Sequence, residues 1–229
     1  MTIHFKNLTA GSRPPVGKGS VKFRTFFSHS YRNIFKRIFD IVFVLVTAPI
    51  ALPLIGLFAL LVSRDGASPF YWQYRVGRHG KSFRMLKLRT MIPNADACLE
   101  DYLGNNPAAR QEWDNTQKLK DDPRITAAGR LLRRSSLDEL PQLWNVLCGD
   151  MSIVGPRPMM EDQRALYPGS AYYKMRPGIT GPWQVSDRNA CSFAARAQFD
   201  ADYYQDMSAT KDMSILLRTV GVVMRCTGY

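Results

Sequence analysis

The chain is poor in the side chains that most often do chemistry near neutral pH. It holds 3 histidines and 4 cysteines among 229 residues. His4 and His29 fall in a basic arm, and His79 sits in the turn Arg78-His79-Gly80-Lys81. No H-E-x-x-H motif is present, and nothing in the sequence supports a Ser-His-Asp triad. Cys98, Cys148, Cys191 and Cys226 are far apart and never form C-x-x-C. That argues against a zinc site and fits reduced thiols facing the cytoplasm. Acids are also scarce, 19 against 31 Lys and Arg, for a net charge of +12. Residues 1–37 contain 8 basic side chains and no acid. An enzyme built from this sequence would work with carboxylates and cations.

Residues 1–30 are basic, contain Gly, Ser and Pro, and lack apolar periodicity, which predicts a disordered arm. Beside a membrane segment, such an arm is drawn to anionic membrane lipid, at roughly 1 kcal/mol per basic residue near the surface. A nucleic-acid partner is not expected, because the charge lies in a tail and not on a folded patch interleaved with aromatics.

Ile41 to Val62 is 22 residues long and carries no charge, enough to cross the hydrocarbon as a helix. It begins too far into the chain, with no small-residue cleavage site after it, to be a secretory signal. Pro49 and Pro53 lie mid-segment and each removes a backbone donor. Basic residues flank both ends: Arg32, Lys36 and Arg37 before it, Arg64, Arg75, Arg78, Lys81 and Arg84 after it. The positive-inside rule then places both flanks in the cytoplasm. A kinked spanning helix and a re-entrant hairpin over residues 31–65 both remain open, with a buried core helix as the plainer reading.

Residues 66–229 read as a cytosolic catalytic unit of α+β class, mostly helical. Phe70 to Met91 has the pattern of a small β-hairpin, FYWQYRV and SFRMLKLRTM around Gly-Arg-His-Gly-Lys. Period-2 alternation puts Lys87 and Arg89 on one face, either as a phosphate clamp or as a solvated strand end. Two polar helices follow, broken near Asn105-Asn106-Pro107, and then a helix over Ala127 to Arg134. A further helix is expected from Ser136, where Ser136 and Glu139 form a capping box and Pro141 falls in the first turn. Asp138 and Glu139 can cap that helix or act together as a reactive carboxylate pair. Arg133 and Arg134 stand one turn before them, and Gly155-Pro156-Arg157-Pro158 presents another arginine. Arg176 to Asn189 reads as a loop, lining a site or simply turning at the surface. Ser208 to Arg225 has the spacing of an amphipathic helix, packed on the domain or lying at the membrane interface.

KRIFDIVFVLV, FRMLKLRTM, LRRSSLDELPQLWNVLCGDMSIVGPRP and RPGITGPWQVS, in this order, resemble the bacterial sugar transferase family, the small monotopic phosphoglycosyl transferases. The resemblance runs from about Lys36 to the C-terminus. It implies transfer of a hexose 1-phosphate from a UDP-sugar to undecaprenyl phosphate, with release of UMP, at the cytoplasmic face of the bacterial inner membrane. Overall likeness points to galactose; UDP-glucose or a UDP-N-acetylhexosamine would use the same chemistry. The resemblance also implies a re-entrant helix bent at Pro49 and Pro53, Asp138 as nucleophile, Glu139 as a Mg2+ ligand, and Arg133 and Arg157 as phosphate binders. Lys87 and Arg89 match its K-x-R-[ST]-M element. The product would start an exopolysaccharide repeat unit, extended by downstream glycosyltransferases. Larger relatives carry extra transmembrane helices before this unit; none precedes Ile41, so the minimal form is expected. Asp187 stands where relatives often have glycine. A reading of another class, a non-catalytic membrane-anchored adaptor, leaves the Asp138-Glu139 pair with Arg157 unexplained.

Overall fold

A computed structural model describes residues 31–116, 119–186 and 193–224. The basic arm, Asp187, Cys191 and Cys226 lie outside the described residues. The architecture is mostly helical α+β, as expected, with two small two-stranded sheets.

A π-helical turn, Tyr31–Phe35, leads into α1, Lys36–Val62, which runs through Pro49 and Pro53 as one helix. Among the described residues it is the one helix long and apolar enough to cross a membrane. Its middle is unpartnered: Leu45 is 61% exposed, and Val46 and Ile50 are each 71% exposed. The N-terminal end is anchored by polar contacts. Asp40 is buried and accepts from the Ser152 hydroxyl at 2.9 Å and the Ile153 N–H at 2.9 Å. Lys36 reaches Asp212 at 2.6 Å, and Tyr31 and Tyr203 donate to the same carboxylate. A fully buried aspartate is tolerable here because three donors replace its water.

The predicted hairpin forms. β1, Phe70–Val76, pairs antiparallel with β2, Ser82–Leu88, from Phe70 opposite Leu88 to Val76 opposite Ser82. The polar helices follow as α2, Ala95–Asn105, and α3, Pro107–Thr116, broken at Asn106 as expected. α4, Ala127–Ser135, is capped by Thr126, whose side chain accepts from the Gly129 N–H. α5, Gln142–Cys148, is held to β2 by the buried Asn145 amide, which accepts from Leu86 N–H and donates to the Arg84 carbonyl.

β3, Ser152–Val154, and β4, Gly178–Thr180, then form a parallel pair. β4 lies in the stretch read from sequence as loop. A three-residue strand bounded by Pro and Gly is too short to show a period. α6, Ala171–Lys174, α7, Arg196–Asp206, and α8, Ala209–Met224, complete the chain. On α8, Asp212 and Ile215 are buried, while the apolar Leu217, Val220 and Met224 face outward. The main core joins α1, β2, α5, β3 and the last two helices through Val44, Met85, Val146, Ile153, Tyr203 and Ile215.

Candidate active site

The acid pair sits on a tight reversal. α4 ends at Ser135, and Ser136 adopts the left-handed conformation, φ 57°, with its N–H returned to the carbonyls of Arg133 and Leu132. Leu137–Glu139 then makes a single 3-10 turn. Leu137 packs beside Val62, Leu88 and Leu132, so the turn is fixed against the C-terminal end of α1. The expected capping box is therefore not formed. Ser136 closes a helix instead of opening one, its side chain makes no cap bond, and the next helix begins only at Gln142, after Pro141. The Ser136 N–H is already spent on the carbonyls that end α4, and the Glu139 carboxylate is engaged elsewhere. Lys87 takes it in a charge-assisted bond, a stronger partner than the Ser136 N–H a capping box would use.

Asp138 is 9% exposed. Lys87 Nζ lies 2.8 Å from Glu139 Oε1 and 3.9 Å from Asp138 Oδ2, bridging the pair. Arg133 flanks Asp138 and is aimed by its Nε donating to Thr90 Oγ1 at 2.8 Å. Arg134 is exposed to solvent. The two acids are electrostatically distinct. Burial, with the Glu139 charge adding to it against Lys87 and Arg133, pushes Asp138 up to about 6. Burial also opposes ionisation of Glu139, but Lys87, Arg157 and Arg75 overcome it and hold that carboxyl below its usual range. Two adjacent carboxylates with opposed shifts are suited to different duties.

Arg157 follows β3 in the Gly-Pro-Arg-Pro turn and its charge acts on Glu139, whereas that of Arg133 acts on Asp138. Arg89 is placed elsewhere. β2 ends at Leu88, and the Arg89 guanidinium forks onto both Asp65 oxygens, at 2.6 and 2.8 Å, and onto the Val62 and Met91 carbonyls. It ties the end of α1 to the hairpin and does not share a face with Lys87, because the strand alternation stops one residue before it. Pro49 and Pro53 lie within α1, away from the acid pair in sequence and on the apolar stretch.

Sequence reasoning passed over two further cations. Arg75 lies on β1 and Arg196 opens α7; burial and then the charge of Arg157 lower the proton affinity of both, and Arg75 adds to the effect on Arg196. Arg75 appeared in the sequence only as a flanking positive charge. Its strand position, one residue before the buried Val76, was the available signal.

A metal ion here would meet oxygen donors. Among the described residues no group of three or more His, Cys, Asp and Glu exists that could enclose a cation. Two neighbouring carboxylates suit Mg2+, which keeps several waters and completes its shell with substrate phosphates. Glu139, whose carboxyl is held below its usual range, would be the carboxylate to hold such an ion.

The chain matches the family described as bacterial sugar transferase over residues 31–226. It is 47% identical over 202 residues to the UDP-galactose-lipid carrier transferase of Erwinia amylovora, covering 87% of this chain and 42% of that protein. It is 46% identical over 199 residues to the exopolysaccharide production protein ExoY of Sinorhizobium fredii, covering 86% of this chain and 88% of that one. With the undecaprenyl-phosphate galactose phosphotransferase of Salmonella typhimurium it shares 48% over 195 residues, 84% of this chain and 41% of that protein. The chain thus spans less than half the length of two of these relatives and most of the third. The arrangement of acid pair, cations and apolar helix accompanies sequence identity through nearly the whole described length, and the chain belongs to the bacterial sugar transferase family.

Proposed function

We propose that the chain transfers galactose 1-phosphate from UDP-galactose to undecaprenyl phosphate, releasing UMP, as the first membrane step of exopolysaccharide synthesis. The observation that carries this is the Asp138-Glu139 pair, bridged by Lys87 and flanked by arginines, at the foot of an exposed apolar helix. The names of the relatives supply galactose, the lipid carrier and exopolysaccharide.

The residues support a two-step displacement. A carboxylate approaching a diphosphate meets like charge, so the phosphate oxygens must first be neutralised. Arg133, whose charge acts on Asp138, and Arg157, whose charge acts on Glu139, are available for this purpose. Asp138 is the attacking group, since Glu139 is held by Lys87. An Asp138 oxygen bonds to the sugar-linked phosphorus while the bond to the bridging oxygen breaks, and that electron pair leaves on UMP. An oxygen of the lipid phosphate then attacks the same phosphorus and returns the carboxylate. Mg2+ on Glu139, when bound, supplies further charge neutralisation on the phosphate oxygens.

Location at the cytoplasmic face of the inner membrane, with α1 re-entrant, is part of the proposal. A straight 27-residue helix is about 40 Å long, yet its two ends bear on one folded unit. Lys36 and Asp40 dock on Asp212 and Ser152, while Val62 packs on Leu88 and Leu132. Both ends on one side of the bilayer fit a helix that dips in and returns, and Pro49 and Pro53 supply the weak points.

The test is incubation of the membrane-embedded protein with UDP-galactose, undecaprenyl phosphate and Mg2+, following UMP. Lipid-dependent UMP release with UDP-galactose, exceeding that with UDP-glucose and UDP-N-acetylglucosamine, is the expected result. Preference for another UDP-sugar would overturn galactose alone. No UMP from any of them would overturn the reaction.

A further inference from the structure

α4 is fastened near both of its ends to a single residue, Thr90. This threonine lies two positions past the end of β2 and is buried. Its carbonyl accepts the Thr126 N–H at 3.1 Å, at the start of α4. A Cβ on Gly129 would come within 2.0 Å of the same carbonyl oxygen, so glycine lets the first turn of α4 press against it. The Thr90 hydroxyl meanwhile accepts from Arg133 Nε at 2.8 Å, and Arg133 stands in the last turn of α4. Side chains on a helix lean toward its N-terminus, so Arg133 reaches back along α4 to make this contact.

Thr90 has little freedom of its own. On one side of it the Arg89 guanidinium forks onto Asp65. On the other, Met91 bridges to Ile125, and the Ile92 N–H donates to the Arg124 carbonyl at 2.8 Å. The hydroxyl is therefore a fixed point at the rim of the acid pair.

What it fixes is the plane of a guanidinium. That group carries five N–H donors in a rigid fork. One of them, on Nε, is spent on Thr90. Among the described residues this is the one hydrogen bond the Arg133 side chain makes, so both Nη groups remain for an anion. Two parallel N–H bonds from one edge are how arginine grips a phosphate. The charge of Arg133 acts on Asp138, which puts that edge in the neighbourhood of the proposed nucleophile. Fastening α4 does not need the hydroxyl, since the Thr90 carbonyl and Gly129 already do that.

We propose that Thr90 is a positioning residue for the transfer: its hydroxyl sets the plane of Arg133 so that both Nη groups meet phosphate oxygens of the donor. This rests on the transferase reading above. Thr90 acts only through Arg133 and takes no part in bond making. The short run from Lys87 to Thr90 then divides into three duties. Lys87 bridges the acids, Arg89 ties the hairpin to the end of α1, and Thr90 carries that anchorage to Arg133.

The experiment follows UMP release from UDP-galactose, with undecaprenyl phosphate and Mg2+, by the full chain in nanodiscs. Single turnovers with enzyme in excess keep slow variants readable. Thr90→Val keeps the shape and removes the acceptor, and should lower kcat/KM for the donor about 10- to 100-fold, the scale of a misplaced positioning contact. Thr90→Ser keeps the oxygen and should stay close to wild type. The deciding chain combines Thr90→Val with Arg133→Gln. With the arginine gone the hydroxyl has nothing to aim, so adding Thr90→Val to Arg133→Gln should change kcat/KM by less than about twofold. An equal loss from Thr90→Val with and without Arg133 would show that Thr90 acts elsewhere and overturn the assignment. Wild-type rates in Thr90→Val, or Thr90→Ser as slow as Thr90→Val, would overturn it too. If Thr90→Val melts below the assay temperature, Thr90→Ala, which leaves room for water beside Arg133, takes its place in the same cycle. Wild type that releases no UMP from any UDP-sugar overturns the transferase reading, and this assignment with it, so the two failures are distinct.

Discussion

At the scale of single residues, the two acids divide the work by environment. Burial pushes Asp138 up to about 6, so as the proposed nucleophile it must lose its proton before it can attack. We expect kcat/KM for the donor to rise as pH increases through about 6, since that ratio reports the free enzyme. A profile flat from pH 5 to 8 would mean another group limits ionisation. Stability runs the opposite way. The native carboxyl holds its proton more tightly than the unfolded one, near 3.9. That contribution is complete below the unfolded value and is lost as pH rises through about 6. Asp138→Asn removes the buried charge without changing shape. It should abolish turnover, a fall of at least about 1,000-fold as expected of a lost nucleophile, while raising the melting temperature by a few degrees. Full turnover in that variant would remove Asp138 from its role; a lowered melting temperature would show that its ionised form is a stabilising partner.

At the scale of elements, the site depends on how closely two turns approach. A Cβ on Gly178 would lie 2.1 Å from the Gly155 nitrogen, and one on Gly155 would lie 2.4 Å from the Arg176 carbonyl oxygen. The β3–β4 pairing holds these backbones in contact, with Gly155 N–H donating to the Thr180 carbonyl and Gly178 N–H to that of Pro156. This explains why the Gly-Pro-Arg-Pro and Pro-Gly-Ile-Thr-Gly segments belong together: the second is the seat that aims Arg157. Gly178→Ala should force the strands apart at a cost of about 2–3 kcal/mol, read by chemical denaturation, and should raise the donor KM through Arg157. Wild-type stability would mean the strands shift freely. The same pair marks where sequence reading stopped. The hairpin and α8 were legible because seven or more residues repeat a period, and Lys87 followed from that alternation. β3 and β4 are each three residues long, and their parallel pairing brings together positions 26 apart in the chain. Ser136 was misread because S-x-x-E is a local pattern, whereas the Glu139 carboxylate it relies on is engaged by Lys87, 52 residues before Glu139. Arg75 and Arg196 were invisible as a pair for the same reason: their meeting is a property of the packed fold.

For the whole molecule, the proposed re-entrant topology raises the question of what would keep both ends of α1 on one side of the bilayer. Two features act together. Pro49 and Pro53 each remove a helix hydrogen bond within the apolar stretch. The N-terminal end is also tied down by Lys36 on Asp212 and by Asp40 on Ser152 and Ile153, all buried. Crossing fully would require carrying Lys36 and Asp40 away from these partners and leaving Asp212 buried without its cation, which is strongly unfavourable. On the proposed topology the docking is therefore the larger obstacle to crossing, and the prolines would lower the strain of a returning path. A single cysteine placed in residues 1–30 of an otherwise cysteine-free chain should be protected from a membrane-impermeant thiol reagent in intact cells. With Pro49→Leu and Pro53→Leu alone it should remain mostly protected, because the docking persists. Adding Lys36→Ala and Asp40→Ala should release the end and let the straightened helix cross, raising labelling severalfold, while a cysteine at the exposed Arg134 position stays protected throughout. Labelling already in the parent chain would place the two ends of α1 on opposite faces. Full labelling on proline replacement alone would assign the topology to the prolines and leave the buried Lys36–Asp212 pair as a fastening that follows it.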